Sequence, residues 1–185
     1  MNRIPARNRS SNSPHQAIIA EPSYPPIADY AAIGDGRTVA LVSRTGAIEW
    51  LCLPHFSAPS VFGALLDRNG GGVFAIAPEL ACTSTRRYVD DTNVLETTYR
   101  TTTGSVRVTD LMPMPASARR LEPMREVLRI VEGIEGHVTL RVIVDPRPDY
   151  GRGRIRPVER GALGWTWSWR NELRARRVQN GSRRG

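Results

Sequence analysis

The sequence contains no lysine, so all 26 of its basic residues are arginine. Cysteine is nearly absent: Cys52 and Cys82 are too few for a disulfide framework or a four-ligand zinc centre. No stretch approaches the ~20 consecutive apolar residues of a membrane span. The first residues are basic and Ser-rich, and their longest apolar run is only Ala17 to Ala20, which does not make a secretory signal. These absences exclude disulfide-rich and zinc-finger classes, give no reason to expect a membrane partner, and imply a cytoplasmic protein. Motif chemistry is equally sparse. There is no Gly-Lys-Ser/Thr phosphate loop, no histidine pair around a glutamate and no Gly-x-Ser-x-Gly nucleophile turn. Gly34-Asp35-Gly36 is a fragment of a dinucleotide fingerprint without its third glycine.

What is present is a globular composition. The chain has 185 residues, 40% apolar and 24% charged, enough to bury a core. The net charge of +8 is unevenly placed. Residues 1–151 balance 16 arginines against 16 carboxylates, whereas residues 152–185 hold 10 arginines against Glu159 and Glu172 alone. The basicity therefore describes a tail, and a nucleic-acid partner is not expected of the body.

Composition divides the chain into three: a flexible leader over 1–24 without hydrophobic period, a strand-dense body over 25–152, and an Arg/Trp-rich tail over 153–185. In the body, Thr38 to Ser43 suits a strand buried on both faces, and Arg44-Thr45-Gly46 suits a hairpin turn. The return run to Leu53 would place Ile48, Trp50 and Cys52 on one face. Further period-two runs are Leu95-Thr97-Tyr99, Val106-Val108, Leu128-Ile130 around Arg129, and Val138-Leu140-Val142-Val144. Asp90-Asp91-Thr92-Asn93 and Thr103-Gly104 read as turns. The sole helical candidate is Ser60 to Leu66, with Ser60 as its cap. The pattern predicts an all-β, antiparallel sandwich.

Candidate chemistry is thin. His15, His55 and His137 are scattered, and Cys52 reads as a small core residue. Paired carboxylates could hydrolyse a glycosidic bond, and the candidates are Asp29, Asp35, Glu49, Asp90, Asp91, Asp110, Asp145 and Asp149. Most sit in turns or at strand ends, where a structural role is expected, so no residue is assigned as catalytic and none as a metal ligand. Trp165, Trp167 and Trp169 share one face of a strand and are the candidate ligand-binding residues: they could stack on a sugar or a base beside the following arginines. Two plainer readings are preferred: a core-facing strand, or the product of a G-rich frame, since Arg, Gly and Trp codons are all G-rich. The tail is thus expected to be a truncated or frameshifted end.

Three blocks of the body carry a resemblance. IADYAAIGDGRTVALVSRTGAIEWLCLPHFSAPSVFGALLD (27–67), RRYVDDTNVLETTYRTTTGSVRVTDLMP (86–113) and LRIVEGIEGHVTLRVIVDPRPDYGR (128–152) resemble, in order and spacing, the opening of glycoside hydrolase family 15, the glucoamylase and trehalase-like group. The resemblance implies a trehalase-like N-terminal β-sandwich of the supersandwich kind, followed in full enzymes by a linker and an (α/α)₆ barrel. In that barrel two glutamates act as general acid and general base on α-glucosides. The blocks contain no part of it, so this chain alone is expected to be inactive, with the barrel as its missing partner. The alternatives are one part of a split hydrolase, or a free-standing glucan- or nucleic-acid-binding module using the tail. Some family members need phosphate and magnesium; no residue here corresponds to either, and no cofactor is expected. An exposed barrel-facing surface would favour self-association.

Overall fold

The computed structural model describes residues 24–114, 124–155, 158–159, 165–169 and 172–176. After a short 3₁₀ turn at Ile27–Asp29, the strands in order are β1 (Tyr30–Gly34), β2 (Val39–Ser43), β3 (Ala47–Cys52), β4 (Ser60–Phe62), β5 (Val73–Pro78), β6 (Thr83–Tyr88) and β7 (Leu95–Arg100). They continue as β8 (Gly104–Leu111), β9 (Leu128–Gly136), β10 (Leu140–Asp145), β11 (Val158–Glu159), β12 (Trp165–Trp169) and β13 (Glu172–Arg176). No α-helix occurs among the described residues.

The first sheet has the order β1-β2-β3-β5-β10, with β4 also paired to β3, and the second has the order β6-β7-β8-β9. All pairings are antiparallel. The two sheets pack through a shared core. One cluster joins Ile33, Val42, Ile48, Leu51 and Phe62 of the first sheet to Leu95 and Met112. A second joins Ile76 to Tyr99, Val106 and Val108. The predicted sandwich is therefore present. In the tail, β11, β12 and β13 form a three-stranded sheet of their own.

Turn chemistry follows the sequence. Gly46 has φ of 82° and its N–H donates to Ser43 O at 3.0 Å, closing the β2–β3 hairpin. A Cβ at Gly46 would also collide with Ile76 O and Tyr99 Oη, so glycine is required twice over. Thr101 and Gly104 close the β7–β8 hairpin through a 2.9 Å backbone bond. Asp90 and Asp91 lie in the β6–β7 turn, where Asp91 takes φ of 57°.

Three sequence expectations fail locally. First, Ser60–Phe62 is a strand rather than the start of a helix. Ser60 does not cap: its O accepts Asp149 N–H at 3.0 Å and its Oγ accepts Tyr150 N–H at 3.1 Å, while Val61 O accepts Arg147 N–H at 3.0 Å. Long-range backbone partners override the local cap signal. Second, Ile48, Trp50 and Cys52 do not share a face. The β2–β3 register shifts between Leu41 and Val42, so that Leu41 faces Trp50 and Val42 faces Ile48. The extra residue, Glu49, is a bulge that breaks the alternation. Ile48 and Leu51 consequently enter the core together, and Trp50 is half-buried at 6.3 Å from the Tyr150 ring. Third, the β9 alternation is inverted: Arg129 points inward with its side chain 1% exposed, and Leu128 and Ile130 face out.

Candidate functional site

The inverted strand brings together the most elaborate polar cluster in the sandwich. Arg129 on β9 donates through Nε to Asp110 Oδ1 at 2.8 Å and through Nη2 to Asp110 Oδ2 at 3.1 Å. It also crosses to the first sheet, donating to Phe74 O at 2.7 Å and Gly46 O at 2.9 Å. Its guanidinium lies 4.8 Å from the centre of the Phe74 ring. Asp110, like Arg129, is about 1% exposed, so the pair is a buried, hydrogen-bonded clamp between sheets. Beside it, Tyr99 Oη is buried without a hydrogen-bond partner, and burial pushes the phenol up to about 12. Nothing in the alternating run around Arg129 signals this cluster, because an arginine flanked by aliphatics reads as the solvent-facing member. Its pairing with Asp110 across β8 and β9 emerges only from the register.

The other carboxylates singled out by sequence are held separately. Asp29 pairs with Arg44 at 2.8 Å, and Asp145 with Arg147 at 2.8 Å. That hydrogen bond and charge raise the Arg147 pKa further. Asp35 is fully buried; its Oδ1 accepts Arg37 and Thr38 N–H at 2.9 Å each, an Asx turn that shapes the loop before β2. Glu49 Oε2 accepts Tyr30 Oη–H at 2.6 Å, and burial followed by that carboxylate pushes the Tyr30 phenol up. Asp149 closes the loop after β10 with φ of 58°. Cys52 is 1% exposed, a core residue as expected, and burial raises its thiol pKa. His55 is exposed and contacts Ser57 Oγ through Nδ1 at 3.1 Å. The backbone N–H of His137 donates to Thr103 O at 3.0 Å. His15 lies outside the described residues.

Open grooves among the described residues include two formed by the second sheet and its edges. One of about 320 Å³ is lined by Arg100 to Ser105 with Glu135 and Gly136. The other, of about 260 Å³, lies between β1 and β6 and is lined by Tyr30, Arg44, Arg86, Arg87 and Tyr88 among others. The first has a single carboxylate in its lining and the second has none. Neither brings together two carboxylates for acid–base work on a glycoside. Among the described residues no group of three or more His, Cys, Asp or Glu side chains could hold a metal. Trp165, Trp167 and Trp169 fall on β12, paired with Arg176, Arg174 and Glu172 of β13; the side chains of these tryptophans lie outside the described residues. No helix is long and apolar enough to cross a membrane among the described residues.

Against known families, the one described as "Trehalase-like, N-terminal" matches residues 16–162. The chain belongs to the trehalase-like N-terminal domain family. The trehalase of Mycobacterium tuberculosis is 37% identical over 163 residues, covering 80% of this chain and 22% of that protein. The trehalase of Mycolicibacterium smegmatis is 38% identical over 143 residues, 70% of this chain and 21% of that protein. A third, from Thermoplasma volcanium, is 37% identical over 142 residues, 73% of this chain and 22% of that protein. The chain thus spans about a fifth of the length of the relatives it matches. No solved structure gives a significant match. For this trehalase-like N-terminal domain the match spans β1 to β10, and the Arg129–Asp110 clamp lies within the matched region.

Proposed function

We propose that the chain is the non-catalytic N-terminal β-sandwich domain of a glycoside hydrolase family 15 α-glucosidase of the trehalase or glucoamylase type. Its role is to support an (α/α)₆ catalytic barrel that these 185 residues do not contain. The observation that carries this reading is the extent of the match: a chain folded into two facing antiparallel sheets and aligned to only about a fifth of proteins named trehalase. The carboxylates support it. Hydrolysis needs a proton donor and a base facing each other across a pocket. Asp110 has both oxygens on Arg129, and Asp29 and Asp145 are in ion pairs. A cytoplasmic location fits the two free thiols, Cys52 buried and Cys82 exposed.

The test is an assay of the purified chain for glucose release from trehalose and from maltose. No release above the buffer control is expected. Sustained turnover that tracks the folded chain through purification would place catalysis within these residues and overturn the reading.

A further inference from the structure

The first sheet is one strand wider along its main path than the second, five strands against four. At one side the two sheets are flush: Tyr88 of β6 hydrogen-bonds the backbone of Ala32 on β1. At the other, Arg129 of β9 reaches Phe74 on β5, so β10 beyond Leu140, which packs against the Ile76–Tyr99–Val106–Val108 cluster, overhangs with no strand of the second sheet opposite it among the described residues. The consequence shows in burial. Val142 pairs with the buried Ile76 and so lies on the inner face, yet it is 42% exposed; Ile143 on the outer face is also 42% exposed.

β10 is also the less protected of the two edges on this side. Edge strands ordinarily carry a bulge, a proline, a glycine or inward charge that discourages pairing. β9 has Gly133, the inward-pointing Arg129 and a register shift opposite Ser105 and Val106. β10, Leu-Arg-Val-Ile-Val-Asp, has none of these within its six residues, and its register to β5 is unbroken. Its free groups can be assigned. Glu79 N–H donates to Thr139 O, so alternate residues Thr139, Arg141, Ile143 and Asp145 bond inward to β5. Ile76, opposite Val142, sends its N–H the other way to Gly46 O, which agrees. The N–H and C=O groups of Leu140, Val142 and Val144 therefore point off the edge.

We propose that β10 is a homodimer interface, in which a second copy of this chain adds its own β10 antiparallel about a two-fold axis at Ile143. This register pairs each Val142 with Val144 of the other copy through their outward N–H and C=O groups. It also places Arg141 directly opposite Asp145 of the other copy on the outer face, twice by symmetry. Arg141 is available for this: its side chain is 68% exposed and its partner within the chain, Glu79, is 3.7 Å away. Asp145 would be shared between Arg147 of its own chain and the incoming arginine. The half-exposed valines of the overhang are brought into cross-strand contact. The surface belongs to the chain's own sheet edge, so the proposal stands or falls apart from the assignment to a hydrolase.

Light scattering coupled to size exclusion, run on the full chain over a hundredfold range of concentration, reads the outcome. The expected mass at the upper end is twice the 20.5 kDa of one chain. Arg141→Asp sets two like-charge pairs against each other and should raise the dissociation constant roughly ten- to thirty-fold. The double variant Arg141→Asp/Asp145→Arg should restore the dimer. Val142→Pro removes an outward N–H without touching the β5 bonds and should give a monomer with an unchanged circular dichroism spectrum. A chain that is monomeric throughout, or a dimer indifferent to both Arg141→Asp and Val142→Pro, overturns the proposal.

Discussion

The two long sides of this sandwich are finished in different ways. On the β1/β6 side, polar side chains from the inner face of β6 reach across and bond the opposite sheet. Tyr88 Oη donates to Ala32 O and accepts from Ala32 N–H, both at 2.9 Å, and Arg86 donates to Val42 O at 3.2 Å. Asn93, in the adjoining turn, donates to Gly34 O at 2.6 Å. Behind this closure Ile33 and Val42 are fully buried. The partial burial of Arg86 and the nearby Arg44 charge lower its pKa. On the β9/β10 side one residue, Arg129, makes the polar link described above, and beyond it Val131 and Val142 face inward yet remain more than two-fifths exposed. Inner-face position and burial are thus separable: a side chain is buried only when the opposite sheet has a strand to cover it.

The largest effect is expected from removing the clamp. Arg129→Met leaves Asp110 buried without its counter-charge and should cost about 3–5 kcal/mol in urea unfolding, while adding Asp110→Leu should recover most of it. A loss near zero would mean that the β9 side is held by something other than this pair. Next come two inner-face valines on opposite sides. Val42→Ala should cost about 1–3 kcal/mol, because Val42 is fully buried. Val131→Ala, inward-facing but 44% exposed, should stay within about 1 kcal/mol. Equal losses would erase the distinction between the sides.

Alkaline titration sharpens the comparison from the second cluster. The Tyr99 phenol is raised from 10.0 to about 12 in the fold. Below pH ~10 both states keep the proton and its contribution to stability is complete. Between pH ~10 and ~12 the unfolded chain ionises first, so stability falls by up to about 2–3 kcal/mol. Tyr99→Phe should flatten that decline and leave neutral-pH stability unchanged or slightly higher, since the hydroxyl has no partner to lose. Tyr30 is raised in the same direction, so the difference between variant and parent is the quantity to compare. A small effect belongs to the closed edge itself. Tyr88→Phe should cost about 1 kcal/mol, because water can replace the hydroxyl at an exposed edge, and should speed amide exchange at Ala32. Unchanged exchange there would show that Tyr88 does not close the side.

Where strands pair in simple alternation, their faces could be read directly. Leu95, Thr97 and Tyr99 are all buried as their spacing predicts, and so are Val106 and Val108. The hairpins at Gly46 and Gly104 were equally legible, because their chemistry is local. The reading failed where a distant strand intervenes. Glu49 becomes a bulge only against β2, and Ser60 is drawn into a strand by residues some 90 positions later. Asp29 and Asp145 are held in ion pairs and Asp35 in an Asx turn, whereas the buried pairing of Asp110 with Arg129 is invisible in the sequence, since both look solvent-facing in their own segments.

By itself the sequence determined an all-β sandwich, the family to which it belongs and the turns that space its strands, because alternation and turn chemistry act over a few residues. The tertiary structure alone decided which arginine is buried, where alternation breaks and which edge is left open. Those outcomes depend on register and on unequal strand counts in two facing sheets, and neither quantity is written in any single segment of the chain.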